Sequence, residues 1–149
     1  MQGANQAGKI LILATESCAY PGANAVGQAH SSYSANTYIL RVRAPVMFPE
    51  RFYIDCLAKG FWGIIIMSCG VECPYEGAYE ALARRVDRLF RMMKDRGLDP
   101  RRIRLTSICT VCTRAFLSEV RQMNETITEL GPPGTERTTM SERAGSNRH

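Results

Sequence analysis

Four short apolar runs recur along the chain, and each ends in a turn rich in small, polar or sulfur-bearing residues. The run FWGIIIMS at residues 61–68 is the most telling, because Ile64, Ile65, Ile66 and Met67 are continuous and mostly β-branched. That is too short for a typical helix and lacks the alternation of a sheet with one wet face, so it predicts a central parallel strand buried on both sides. KILILAT at residues 9–15 has the same character and predicts the first strand. TYILRV at residues 37–42 predicts the second, closing at Arg43, Ala44 and Pro45. IRLTSI at residues 103–108 alternates apolar and polar positions, as an edge strand does.

Between the strands the period changes to three and four. Pro49 suits the first turn of a helix, having no amide proton to lose there, and the helix is expected over residues 49–59 with Phe52, Leu57 and Ala58 inside and Gly60 as its stop. The strongest pattern is Tyr79, Leu82, Val86, Leu89, Phe90 and Met93, with Arg84, Arg85, Arg88, Arg91 and Lys94 on the other side and Gly97 at the end. A last helix is expected over residues 113–130, with Phe116, Val120, Met123, Ile127 and Leu130 on one stripe before Gly131, Pro132 and Pro133. Residues 23–31 carry a weaker helical pattern. Strands alternating with helices predict an α/β fold: a flavodoxin-like four-stranded parallel sheet of order 2-1-3-4 with helices on both faces. One domain is expected over residues 9–131, between a flexible tail at 1–8 and a polar, disordered tail at 132–149.

Composition narrows the class. A chain of 149 residues with 45% hydrophobic and 22% charged residues is one soluble domain's worth. No apolar run reaches the ~20 residues that a membrane span needs, and the first residues do not have the form of a secretory signal. A cytoplasmic location is the expectation. The formal charge is +5, yet residues 84–104 alone hold nine Arg or Lys against three Asp. A solvated face or a docking surface explains a charge excess confined to one helix and its exit turn as well as a phosphate track does, so nucleic acid is not the expected partner. Arg84, Arg85, Arg88 and Arg91 form a stripe that repels itself unless something negative lies nearby. It is either a solvated face or a docking surface for an acidic protein partner.

The cysteines change the picture most. Six in a chain of this kind argue for metal or redox chemistry rather than a disulfide framework. Cys18 follows the first strand, Cys69 and Cys73 the third, and Cys109 and Cys112 the fourth. All five therefore fall on the carboxyl edge of the predicted sheet, where open α/β sheets bind ligands. Cys56, within a predicted helix, is a packing residue. Three chemistries suit the cluster: an iron-sulfur centre, a structural zinc, or a thiol-disulfide couple at Cys109-x-x-Cys112 before a helix. Spacing alone does not separate them. His30 and His149 are not placed as catalytic bases, and no nucleophile triad, phosphate loop or carboxylate pair is recognisable. A non-catalytic subunit is expected rather than an autonomous enzyme.

The loops SCAYPGANAVG and SCGVECPYEGAYEALARRV and the turn GLDPRRIRL resemble the delta, or iron-sulfur, subunit of methyl-viologen-reducing hydrogenase, a family also found beside or fused to heterodisulfide-reductase-like flavoproteins. The resemblance covers about residues 9–131. It implies an electron carrier that holds a two-iron two-sulfur cluster and exchanges electrons with a flavin subunit of a heterodisulfide-reductase-like complex, with Cys18, Cys69, Cys73, Cys109 and Cys112 as the metal-ligating candidates. The chain departs from the family pattern in four places. Thr15 and Ala44 stand where cysteines are usual, Cys69 and Cys73 are separated by three residues rather than four, and Cys109-x-x-Cys112 is an addition. The resemblance therefore implies a rearranged ligand set. A structural adaptor with a zinc or empty cysteine site, or a thiol-disulfide relay, remains the alternative.

Overall fold

A computed structural model describes residues 8–16, 36–68, 76–107 and 113–134. Four strands, β1 (Lys9–Thr15), β2 (Thr37–Val42), β3 (Phe61–Ser68) and β4 (Ile103–Ser107), form one sheet. Its order is β2-β1-β3-β4 and every pairing is parallel, as the apolar runs predict. The two continuous runs occupy the middle of the sheet. Ile64, Ile65, Ile66 and Met67 have no exposed surface, because both of their faces are covered.

Among the described residues three helices do the covering: α1 (Glu50–Ala58), α2 (Ala78–Asp95) and α3 (Thr113–Leu130). Odd and even positions of the central strands divide between them, as the period-two geometry of a strand requires. Ile10, Ile12, Ala14, Ile65 and Met67 pack under α3 through Phe116, Val120, Met123 and Ile127. Leu11, Leu13, Ile64 and Ile66 pack under α1 and α2 through Tyr53, Leu57, Leu82, Val86, Leu89 and Met93. The sheet thus has helices on both faces. The expected helix at residues 23–31 lies outside the described residues.

Local chemistry sets the element ends. Pro49 stands one position outside α1 as its N-cap rather than within its first turn. Gly97, at φ 73°, adopts the left-handed conformation that closes α2, and Leu98 N–H donates back to the Met93 carbonyl at 2.8 Å. Asp99 caps the following short 3-10 helix, Pro100–Arg102, by accepting from the Arg101 backbone N–H at 2.9 Å. Burial opposes ionisation of Asp99, but hydrogen bonds from the Arg101 side chain and backbone outweigh it and lower its pKa.

The end of the sheet remote from the cysteine loops is tied by a buried arginine. Arg102 is fully buried and donates to the Trp62 carbonyl at 3.0 Å and the Pro132 carbonyl at 3.2 Å. A guanidinium is buried at tolerable cost only when its fork is matched by acceptors, and here it links β3 to the chain leaving α3. Gly8 sits under the Trp62 ring, and its carbonyl accepts from the Asn36 side chain. These contacts brace the amino edge and leave the carboxyl edge to the loops.

Candidate functional site

The carboxyl edge has a defined floor. Pairing between β1 and β3 ends at Ala14 and Met67. Beyond it β1 continues with β2, through Thr15 opposite Val42 and a hydrogen bond from Glu16 N–H to the Val42 carbonyl at 2.8 Å. β3 continues instead with β4, through Ser68 opposite Ser107. The two central strands therefore part company one residue before their ends. In a sheet of order 2-1-3-4 the chain winds outward in opposite directions from β1 and β3, so this is the topological switch point at which open α/β sheets carry their ligand crevice.

One side chain spans that parting. Thr15 Oγ1 donates to the Met67 carbonyl oxygen at 2.7 Å, and the threonine is buried. Ser68, beside it, is buried as well. On the β2 side, Glu16 faces Arg41 at 3.3 Å and Arg43 at 3.8 Å, so two arginines sharing one carboxylate lie beside the switch point. Ala44 is buried at the end of β2. Thr15 and Ala44, the positions at which the resemblance implies cysteine, are thus both buried here, one engaged with a backbone carbonyl and one without a polar side chain.

The five candidate ligands, Cys18, Cys69, Cys73, Cys109 and Cys112, lie outside the described residues, as do His30 and His149. Their attachment points are nevertheless fixed. Cys69 is the residue after Ser68, Cys109 is the second after Ser107, Cys18 is the third after Thr15, and Cys112 immediately precedes Thr113, the first residue of α3. β1, β3 and β4 are neighbours in the sheet, and adjacent strands lie about 4.8 Å apart, so the three departure points fall within about 10 Å. A donor set of five thiols leaving such an edge fits a soft metal centre, for which thiolate is the preferred ligand. Among the described residues no group of three or more His, Cys, Asp or Glu is arranged to hold a metal ion.

Cys56 behaves differently. It is half-buried on α1 against the core, and burial, with Asp55 adding to it, raises its pKa. A thiol held protonated in this way is a poor nucleophile and a poor ligand, which agrees with its expected packing role. Trp62, too, packs against the core, beneath α3.

The arginine stripe of α2 finds its negative partner inside the chain. Glu50, at the start of α1, accepts from Arg85 at 3.1 Å and from Arg88 at 2.9 Å, and Arg91 pairs with Asp87 one turn earlier at 2.6 Å. A hydrogen bond to its own backbone N–H, followed by those arginines, lowers the pKa of Glu50 against the opposing effect of burial. Two arginines of the stripe, Arg85 and Arg88, thus have a negative group within the chain, and the expectation of either a solvated face or a docking surface is narrowed to the remainder of the stripe. Arg84 remains exposed on the same helix.

The chain is 31% identical over 125 residues to the iron-sulfur subunit of the F420-non-reducing hydrogenase of Archaeoglobus profundus, covering 83% of this chain and 90% of that one. It is 26% identical over 114 residues to the iron-sulfur subunit of the vhu F420-non-reducing hydrogenase of Methanopyrus kandleri, covering 76% and 86%. It is also 28% identical over 121 residues to one subunit of the ferredoxin:CoB-CoM heterodisulfide reductase of Methanosarcina mazei, covering 80% of this chain but only 15% of that much longer one. The family described as methyl-viologen-reducing hydrogenase, delta subunit, matches residues 10–131, and the chain belongs to that family.

Proposed function

We propose that the protein is an electron-transfer subunit of a heterodisulfide-reductase-like redox complex. Four thiolates drawn from Cys18, Cys69, Cys73, Cys109 and Cys112 hold its carrier, a two-iron two-sulfur cluster, and a flavin-containing subunit is its exchange partner. The observation that carries this reading is the departure of all three cysteine-bearing loops from adjacent strands at the switch point of the sheet. Relatives named as iron-sulfur subunits of a hydrogenase, and one named as part of a heterodisulfide reductase, support it.

When bound, such a cluster accepts and returns one electron at a time. The chain's own residues prepare the site. Thiols must be deprotonated to ligate, and the amino terminus of a helix favours the thiolate through its unpaired N–H groups and dipole. α3 begins directly after Cys112 and α2 begins five residues after Cys73, so both helices start beside ligating candidates. The apolar sheet beneath, from Ala14 to Met67, keeps water from the floor.

The test is Cys69→Ser with Cys73→Ser in the complex purified from its source. Lost electron flow with the complex still assembled supports the carrier. An unchanged rate with an intact complex removes it and leaves a structural adaptor.

A further inference from the structure

Thr15 is a buried polar residue whose bond crosses between strands instead of serving its own. Its hydroxyl reaches 52 residues along the sequence, to the Met67 carbonyl, at the level where β1 and β3 cease to pair. Above that level nothing in the described ladder holds the two strands together, since each continues with its outer neighbour. The loop carrying Cys18 leaves from one side of the parting, and the loop carrying Cys69 and Cys73 leaves from the other. The bond has the ordinary O–H···O length, 2.7 Å, and is shielded from water, so no solvent molecule competes for the hydroxyl.

We infer that Thr15 is a positioning residue for the thiol site: by bridging to the Met67 carbonyl it sets how far apart the first and third cysteine loops start. The inference rests on the proposed function, in that the thiols of those loops act together on one centre. A cluster imposes fixed distances between its sulfur ligands, and a floor that can open lets the ligands drift from them. The methyl group of Thr15 contributes packing, whereas the hydroxyl contributes the bridge. The two roles are separable, because valine keeps the shape without the donor and serine keeps the donor without the methyl.

The experiment compares wild type, Thr15→Val and Thr15→Ser, each purified without oxygen. Iron and acid-labile sulfide are measured, with electron paramagnetic resonance of the reduced protein and the rate of iron release to a chelator. Thr15→Val is expected to keep its circular dichroism and cooperative melting, to release iron about fivefold faster, as the loss of one buried hydrogen bond implies, and to show shifted g-values. Thr15→Ser is expected to behave as wild type. A folded Thr15→Val with wild-type g-values and release rate overturns the role of the hydroxyl. So does a folded Thr15→Ser with altered g-values, which also carries the test should the valine variant not fold. Wild-type protein without iron and sulfide overturns the function proposed above and this role with it.

Discussion

Glu50 and Arg85 lie 35 positions apart in the chain and meet at 3.1 Å across the groove between α1 and α2, with Arg88 on the other carboxylate oxygen at 2.9 Å. One carboxylate therefore ties two helices that cover the same face of the sheet. The carboxylate is largely covered and Arg85 is about a quarter exposed, so the pair is screened less than a surface one.

Glu50→Gln should destabilise the isolated domain by about 1 kcal/mol at neutral pH. The folded pKa of Glu50 is lowered from 4.5, so its contribution is fully present above that value and is lost as the pH falls through the folded pKa. Urea unfolding of both proteins at pH 7 and near pH 3 checks this. The gap between them should be open at the first pH and narrow at the second.

The same contact shows why part of the molecule is legible from its sequence and part is not. Runs such as KILILAT and the continuous isoleucines of β3 announce buried strands because burial on two faces leaves no room for polar positions, and the order of the sheet follows from parallel crossovers. The apolar stripe from Phe116 to Ile127 announces α3 in the same way. The arginines of α2 announce only a positive face. Their partner, Glu50, sits on another helix, and no local period connects the two. Thr15 reads as the polar end of a strand, while its acceptor at Met67 is set by tertiary register. The cysteines are visible as residues on one edge, but which four act together is a matter of loop conformation, which spacing does not encode.

Tyr53 offers a second test of the α1–α2 interface. Its ring is fully buried, and its hydroxyl has no hydrogen-bond partner among the described residues, although Arg85 is near enough to influence it. Burial pushes its pKa upward. A buried hydroxyl without a partner costs free energy, so Tyr53→Phe should leave the midpoint of thermal unfolding unchanged or raise it, by up to about 1 kcal/mol in stability. A clear fall in the midpoint would mean that the hydroxyl is engaged.

Gly63 marks a close approach of α3 to the sheet. A Cβ built there would lie 2.6 Å from Met123 Sδ and 2.8 Å from Ile127 Cγ2. Gly63→Val should therefore push the helix outward and cost about 1–3 kcal/mol, measurable by denaturant unfolding. Adding Met123→Ala should recover part of that cost by opening space, a coupling that a double-mutant cycle would detect.

Elemental analysis of anaerobically purified protein shows whether the thiols at the β1–β3–β4 edge hold an iron-sulfur cluster. Iron and acid-labile sulfide should be present in equal amounts, about two of each per chain, as expected for a two-iron two-sulfur centre bound by thiolates. The amounts should be unchanged in Cys56→Ala and absent in Cys69→Ser with Cys73→Ser. Stoichiometric zinc in colourless protein, or an iron-free chain with its cysteine pairs oxidised, would contradict the claim and point to a structural metal or a thiol-disulfide couple instead.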